Sequence, residues 1–486
     1  MGNPNELAAD SEGRDPSTLR FKRRLRSVPG LGDFVANEAG RFFLDARPTR
    51  HRPPANEPSP LIEFEIAHGF AASASDRLAL QSHRGRTFAR RAEAGPLDYL
   101  ILVPTLRCNL ACSYCQVSRA ALGAAGFDWT ESTATATERM FDGLETDSVK
   151  VEFQGGEPTL RLDLIERIVA RCERFASRSI VICTNLLEIS PDLMRLLERP
   201  DVSISTSLDG DRLIHSHQRT QTDEVTDRFF NNLEMILARF GPSRVSALPT
   251  VNQTNPPAAD ELIDAYVRYD ISSIHLRPIN FQGFARKQHP DSADDHTGWW
   301  DYHEAFVRKL IERNFSDRSR VLEESYLSLC LRRMFRIGLD RHVDLRNPSP
   351  LGFDYLVVDY DGQLYPTDEA RMLARSGVID LSLGDVRQGI DAERRALLNG
   401  HSTSIGDPAC DACPYQPFCG RDIVDDLSRY GRIDLPRHQT FFCQKQMRLF
   451  DLCVRLIYSE DPAIRYSLAR WLDLSGEYLP AQPQLA

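Results

Sequence analysis

"CNLACSYCQVSR", residues 108 to 119, places three thiols within eight residues: Cys108, Cys112 and Cys115, at C-x3-C-x2-C spacing. One loop can bring three such thiolates to a single centre, and soft sulfur donors suit iron-sulfur clusters or zinc. No fourth cysteine stands nearby, so one position is left open. A structural site is normally closed by four protein ligands, whereas a catalytic one keeps a place for substrate.

The surrounding pattern places this loop. "YLILV" (99 to 103) reads as a strand, and Cys108 follows its end by five residues. Five more β-rich runs follow: "VKVEFQ" (149 to 154), "SIVICT" (179 to 184), "VSISTSL" (202 to 208), "RVSALPTV" (244 to 251) and "SIHLRP" (273 to 278). Between them lie stretches such as "LDLIERIVARCERFA" and "TDRFFNNLEMILARF", with apolar residues at i, i+3, i+4 and i+7. Six βα units in series predict an α/β fold, a partial (βα)6 TIM-type barrel, with chemistry at the C-terminal strand ends.

The chain of 486 residues is long enough for two or three domains. Its boundaries read as a disordered lead (1–19), a small α+β unit (20–93), the barrel (94–335), a second cysteine domain (336–455) and a C-terminal helical tail (456–486). Three short strands, the five-proline stretch 47–60 and two helices make up the α+β unit. The N-terminus lacks an apolar h-region, and no apolar run approaches a membrane span, so a cytoplasmic protein is expected. A net charge of −10 argues against a broad nucleic-acid surface. The basic stretches "RFKRRLR" (20 to 26) and "HRGRTFARR" (83 to 91) read first as solvated faces, and second as an anchor for an acidic peptide. Cys172, Cys183, Cys330 and Cys453 stand apart and read as small buried hydrophobes.

Near the C-terminus, Cys410, Cys413, Cys419 and Cys443 form a second set at C-x2-C-x5-C with one distant partner. Spacing alone leaves zinc and iron-sulfur both open. The loop-rich segment around them has little periodic apolar surface and needs a metal to fix it.

The sequence C-x3-C-x-Y-C, placed after the first barrel strand, resembles the signature of the radical S-adenosylmethionine (SAM) superfamily. That resemblance implies a [4Fe-4S] cluster on Cys108, Cys112 and Cys115, with SAM on the open iron and a 5′-deoxyadenosyl radical as hydrogen abstractor. It also implies cofactor contacts at Tyr114, at the GGE residues Gly155, Gly156 and Glu157, at Asn185 in "TNL", at Ser207 and Asp209 in "STSLDG", and at Arg277 in "LRP". The second cysteine set resembles a C-terminal SPASM domain and implies one auxiliary [4Fe-4S] cluster. The full SPASM pattern would hold another, but Thr367 and Ile423 stand where its cysteines would be. Asp368, where some SPASM enzymes keep a carboxylate, and Glu369 are the candidate catalytic groups. His215, His217 and His275 are set aside as ordinary polar histidines.

Across nearly the whole chain, "CQVSR", "EFQGGEP", "LRPINFQGFA", "TDEARM" and "CPYQPFCGRD" resemble the His-Xaa-Ser system radical SAM maturases (HxsB). The family implies modification of a ribosomally synthesised precursor peptide, beside a second radical SAM protein and with an electron donor. Nucleic acid and membrane are not expected partners. Oxidative crosslinking is the expected outcome. Epimerisation, a sulfatase-type maturase, a radical enzyme on a small molecule and a non-catalytic zinc-stabilised binding protein are the alternatives.

Overall fold

The structure, a computed structural model, describes residues 18–47, 60–293, 297–338 and 342–485. Most of the expected lead and most of the proline-rich stretch 47–60 lie outside the described residues. The centre is a nine-stranded sheet. Its parallel half contains Tyr99–Thr105, Ser148–Gly155, Ser177–Cys183, Val202–Ser207 and Val245–Leu248, ordered from the middle of the sheet to one edge. These are the first to fifth strands of a TIM-type partial barrel, alternating with helices as the periodicity predicts. The expected sixth strand is split in two. Ser273–Ile274 pairs with Glu323–Glu324, and Arg277–Pro278 pairs with Thr250–Val251.

The period-2 alternation separates two environments. Leu100, Leu102, Val151, Phe153, Ile180, Ile182, Val202 and Ile204 pack outward against helical residues such as Leu164, Ile168, Phe229 and Leu233. Ile101 and Val103 point inward, toward Tyr355, Val357, Ala370, Leu373 and Ile423. Further along the strands the inward positions become polar: Glu152, Gln154, Cys183, Ser205 and Ser207 line an internal cavity. Parallel sheets are normally apolar on both faces, so this polar lumen marks a site.

The sheet does not end with the barrel. Tyr355–Val358 pairs parallel with the first strand, register Tyr355↔Tyr99 to Val358↔Leu102. It then turns through the "DYDG" sequence into Gln363–Tyr365. A buried bidentate pair, Arg346 with Asp354 (3.0 and 2.5 Å), braces this junction. The Asp354 carbonyl also accepts the Tyr99 amide at 3.1 Å.

The N-terminal unit forms an antiparallel sheet of Arg23–Val28, Gly32–Asn37 and Phe42–Asp45, followed by helices Pro60–Ala67 and Arg77–Ala89. The first basic stretch is not a solvated face. Arg26 clasps Asp451 with two 2.8 Å bonds, Arg24 donates to the Asp411 carbonyl, and Arg20 and Arg23 pair with the buried Glu65. These arginines tie the N-terminal sheet to the second cysteine segment and to its own helix. The expected helical tail contains Pro462–Trp471 but ends as a strand, Gln484–Leu485, beside Phe42–Asp45. Pro480 and Pro483 cannot continue a helix, which explains the change. Among the described residues no helix is long and apolar enough to cross a membrane.

Asp354→Ala strands the Arg346 charge in the interior. The expected cost is about 3–5 kcal/mol of stability in denaturant unfolding; an unchanged midpoint would show that the junction does not need the pair.

Candidate functional site

The cysteine loop leaves the first strand at Thr105 and is stitched to the end of the second. Gly156 N donates to the Thr105 carbonyl (3.0 Å), and Glu157 N donates to that of Arg107 (2.8 Å). A Cβ on Gly155 would overlap the Thr105 carbonyl, and one on Gly156 would overlap those of Leu106 and Arg107. Gly155 also adopts φ 124°, a conformation that favours glycine. The two glycines therefore let two strand ends meet. The loop is held on a third side by Gly283 (φ 51°), where a Cβ would overlap the Gln116 carbonyl.

Glu157 is buried and does not line the cavity. Its Oε1 accepts from Thr159 N and Oγ1, and its Oε2 accepts from Asn185 N at 2.8 Å. Asn185 in turn donates through Nδ2 to Asn109 Oδ1 (2.7 Å) and approaches Cys108 Sγ at 3.9 Å. Asp209 is likewise a brace. It accepts from Tyr114 Oη (2.6 Å) and Thr250 N (2.9 Å). The Tyr114 hydroxyl also accepts from Arg219 Nη1 at 2.7 Å. A π-helical turn, Ser216–Thr220, carries Arg219 and grips the loop again, its Gln218 carbonyl accepting from Ser113 N.

These elements enclose a cavity of about 580 Å³. Cys108, Cys112, Tyr114, Cys115, Gly155, Gly156, Asn185, Ser207, Arg277, Asp368 and Glu369 all line it, as does Arg219. Arg219 is 9% exposed, and its Nε has no hydrogen-bond partner among the described residues. The opposite wall comes from C-terminal elements: Phe441, Phe442, Lys445 and Leu449 on helix Phe441–Ile457, which also carries Cys443, together with Asp422 and Asp425.

Residues 102–264 match the family model of the Radical SAM superfamily. Residues 102–264 are a radical SAM domain. Among curated proteins, an uncharacterised protein of Methanocaldococcus jannaschii is 32% identical over 117 residues, 24% of this chain and 39% of its own length. GTP 3′,8-cyclase of Klebsiella pneumoniae is 36% identical over 115 residues, 23% of this chain and 34% of its own. The chain thus spans little more than a third of the length of these relatives. Two solved structures share the fold over more of the molecule. AnSMEcpe with bound AdoMet and a Cp18Cys peptide has TM-score 0.57 and 16% identity, over 74% of this chain and 97% of that one. Streptococcus suis SuiB bound to its precursor peptide SuiA has TM-score 0.52 and 14% identity, over 88% and 100%.

The radical SAM domain's donor set suits the cofactors of its superfamily, a [4Fe-4S] cluster and SAM. Three thiols face a cavity beside a buried cation and a backbone pinched by glycine. Burial, and then the charge of Glu157, push the Cys108 thiol up to about 12, and burial also raises Cys112 against the pull of Arg219. Bound iron reverses that preference, since a coordinating thiol is deprotonated outright. Among the described residues no three His, Cys, Asp or Glu side chains are close enough to share one metal ion. A cubane cluster spreads its thiolates over separate irons, so cysteines that hold one need not converge on a single ion.

Behind the radical SAM domain, Cys410 lies in the short helix Pro408–Ala412, capped by Asp407, and Cys443 in the first turn of Phe441–Ile457, capped by Thr440. Cys413 and Cys419 lie between these helices in sequence. Burial pushes Cys410 up to about 12 and Cys443 to about 11, and it also raises Cys413 against the pull of Arg26 and Arg24. Thr367 caps helix Asp368–Arg375, and Ile423 is buried in an apolar cluster. Both positions that lack cysteine are thus occupied by structural roles.

Asp368 accepts from Arg371 Nε at 2.6 Å. Burial, and then the Asp368 charge, push the Glu369 carboxyl up to about 7. In the same cavity Lys445 pairs with Asp344 at 3.2 Å; burial opposes ionisation of Asp344, but Lys445 and His342 overcome it and hold it at about 2. His275 also lines this wall, whereas His215 is buried against Phe229. Sequence reading missed Arg219, Asp344 and Lys445. It also assigned Cys183 to the core, although strand alternation opposes it to Ile180 and Ile182 and so turns it into the lumen.

Gly156→Ala is expected to fold but to lose the iron of the first cysteine set while keeping that of the Cys410 set, read as iron and sulfide per chain after reconstitution. Full iron occupancy in that variant would show that the strand contact does not shape the loop.

Proposed function

We propose that this chain is a radical SAM maturase of a ribosomally synthesised precursor peptide, in a His-Xaa-Ser type system. One observation carries the reading: a single cavity is faced by the open-cornered cysteine loop, the polar barrel lumen and the helix bearing Cys443. Bound at the open iron, SAM supplies a 5′-deoxyadenosyl radical that removes a hydrogen atom from substrate. Cys108, Cys112 and Cys115 hold the cluster. Asn185, Ser207, Arg219 and Arg277 offer polar and cationic groups to SAM, and Tyr114 fixes the loop, while Glu157 and Asp209 work through the residues they hold.

Cys410, Cys413, Cys419 and Cys443 bind one auxiliary [4Fe-4S] cluster, for two clusters in all. A cluster held there would supply an electron acceptor for net oxidation of the peptide, such as a crosslink, and Glu369, with Asp368 beside it, lines the cavity as the group to take the proton. A second outcome, inversion of a peptide centre, is favoured by the position of the Cys183 thiol in the lumen. A sulfatase-type maturase is less well supported, because Thr367 and Ile423 fill the remaining SPASM positions. The N-terminal unit is a docking module for the peptide leader, and Arg23–Val28, the outer strand of its sheet, offers an edge for strand addition. An electron donor and a second radical SAM protein complete the system.

Co-expression with the small peptide encoded beside the gene is expected to remove two hydrogens from that peptide, with no change when Cys115→Ala replaces the wild type. An identical peptide mass shift in both would exclude radical chemistry. Because Glu369 must be ionised to act as a base, the modification rate is expected to rise with pH through about 7. That inflection should vanish in Glu369→Gln.

A further inference from the structure

The basic stretch 20–26 contributes a buried cation that no carboxylate closes. Arg24, 7% exposed, donates through Nε to the Asp411 carbonyl at 2.8 Å and through Nη1 to Gln416 Oε1 at 3.4 Å. Asp411 lies between Cys410 and Cys413, so the guanidinium is held against the loop of the second cysteine set. Its neighbour Arg26 differs, because Asp451 answers that charge with two hydrogen bonds. Burial lowers the pKa of Arg24, while Glu38, Asp411 and Cys413 favour its charge; yet among the described residues no carboxylate comes within ion-pair distance of it. Buried charges are normally paired, and what this one faces is a set of thiols. Within the same loop Tyr415 and Phe418 are buried and pack on Phe450, with Phe34 against Tyr415, so the cation sits where charges interact strongly.

We propose that Arg24 is a positioning residue for the second cysteine set, and that its charge raises the reduction potential of the iron-sulfur cluster held there. This rests on the reading that Cys410, Cys413, Cys419 and Cys443 bind such a cluster. A [4Fe-4S] core on four thiolates is an anion in both of its working oxidation states and gains one negative charge on reduction. A fixed cation nearby therefore favours the reduced form, and net charge and outer hydrogen bonds are among the levers that set such potentials. The two hydrogen bonds fix where the charge sits. A neutral donor could make either of them, so hydrogen bonding alone does not call for a cation. A raised potential suits the second cysteine set to accept an electron, the role that oxidation of the peptide asks of it. The N-terminal unit then belongs to the redox machinery, besides offering an edge to the leader.

Full-length protein carrying Cys108→Ala, Cys112→Ala and Cys115→Ala keeps only the second set. After reconstitution its cluster is titrated with reductant and followed by electron paramagnetic resonance. In this parent, Arg24→Gln is expected to keep iron and sulfide but to lower the reduction equilibrium constant about tenfold, about 59 mV for one electron. Arg24→Lys, which keeps the charge, should stay close to the parent. Glu38→Gln removes a carboxylate that acts on Arg24 without touching the hydrogen bonds of Arg24, and should shift the potential upward. An unchanged potential in Arg24→Gln, or equal falls in the Gln and Lys variants, would overturn the proposal. Should Arg24→Gln lose its iron, an upward shift in Glu38→Gln supports the proposal, and an unchanged potential there overturns it. A parent that takes up zinc or no metal at the second set would remove the auxiliary-cluster reading, and this proposal with it, while the radical SAM site stands.

Discussion

The close approach of Gly155 and Gly156 to the backbone of Thr105, Leu106 and Arg107 is the constraint on which the site depends. A side chain at either glycine would push the second strand off the stem of the cysteine loop. With both absent, two backbone hydrogen bonds fix the loop across the strand ends. Everything polar then acts outward from that junction. Glu157, immediately after the glycines, reaches Asn185, and Asn185 reaches back to Asn109 and toward Cys108. Buried carboxylates are costly unless satisfied, and Glu157 and Asp209 are satisfied by the backbone and side chains that they position.

The same sheet separates support from chemistry. Its outer face is a continuous apolar layer against the helices, and its inner face turns polar toward the C-terminal strand ends, where Glu152, Gln154, Cys183, Ser205 and Ser207 gather. The C-terminal part closes this lumen. Tyr355–Val358 extends the sheet next to the first strand, and helix Asp368–Arg375 brings Asp368 and Glu369 to the cavity. Helix Phe441–Ile457 supplies a further wall. The N-terminal sheet braces that helix from behind through Arg26 and Asp451, so the three parts of the chain share one mechanical unit around the site.

Much of this was legible in the sequence because local patterns determine it. Alternating apolar residues located the parallel strands, and cysteine spacing located both sulfur sets. What escaped was long-range. No local pattern shows that Arg24 and Arg26 bond to Asp411 and Asp451, 387 and 425 residues away, or that Arg219 reaches the Tyr114 hydroxyl. Glu157 and Asp209 occupy strand-end positions that suggest ligand contact, yet their oxygens are used by neighbouring amides and hydroxyls. Cys183 was within reach of sequence reasoning, because an inward position in "SIVICT" follows from Ile180 and Ile182 facing out, but a single thiol among apolar residues reads first as core.

Under the proposed function this cavity generates a radical for use on a peptide. The most direct measurement is formation of 5′-deoxyadenosine from SAM by the reduced, reconstituted protein, with and without the precursor peptide. SAM cleavage that depends on the first cysteine set and is accelerated by the peptide is the expected result. Fully iron-loaded, reduced protein that leaves SAM intact in the presence of the peptide would contradict it.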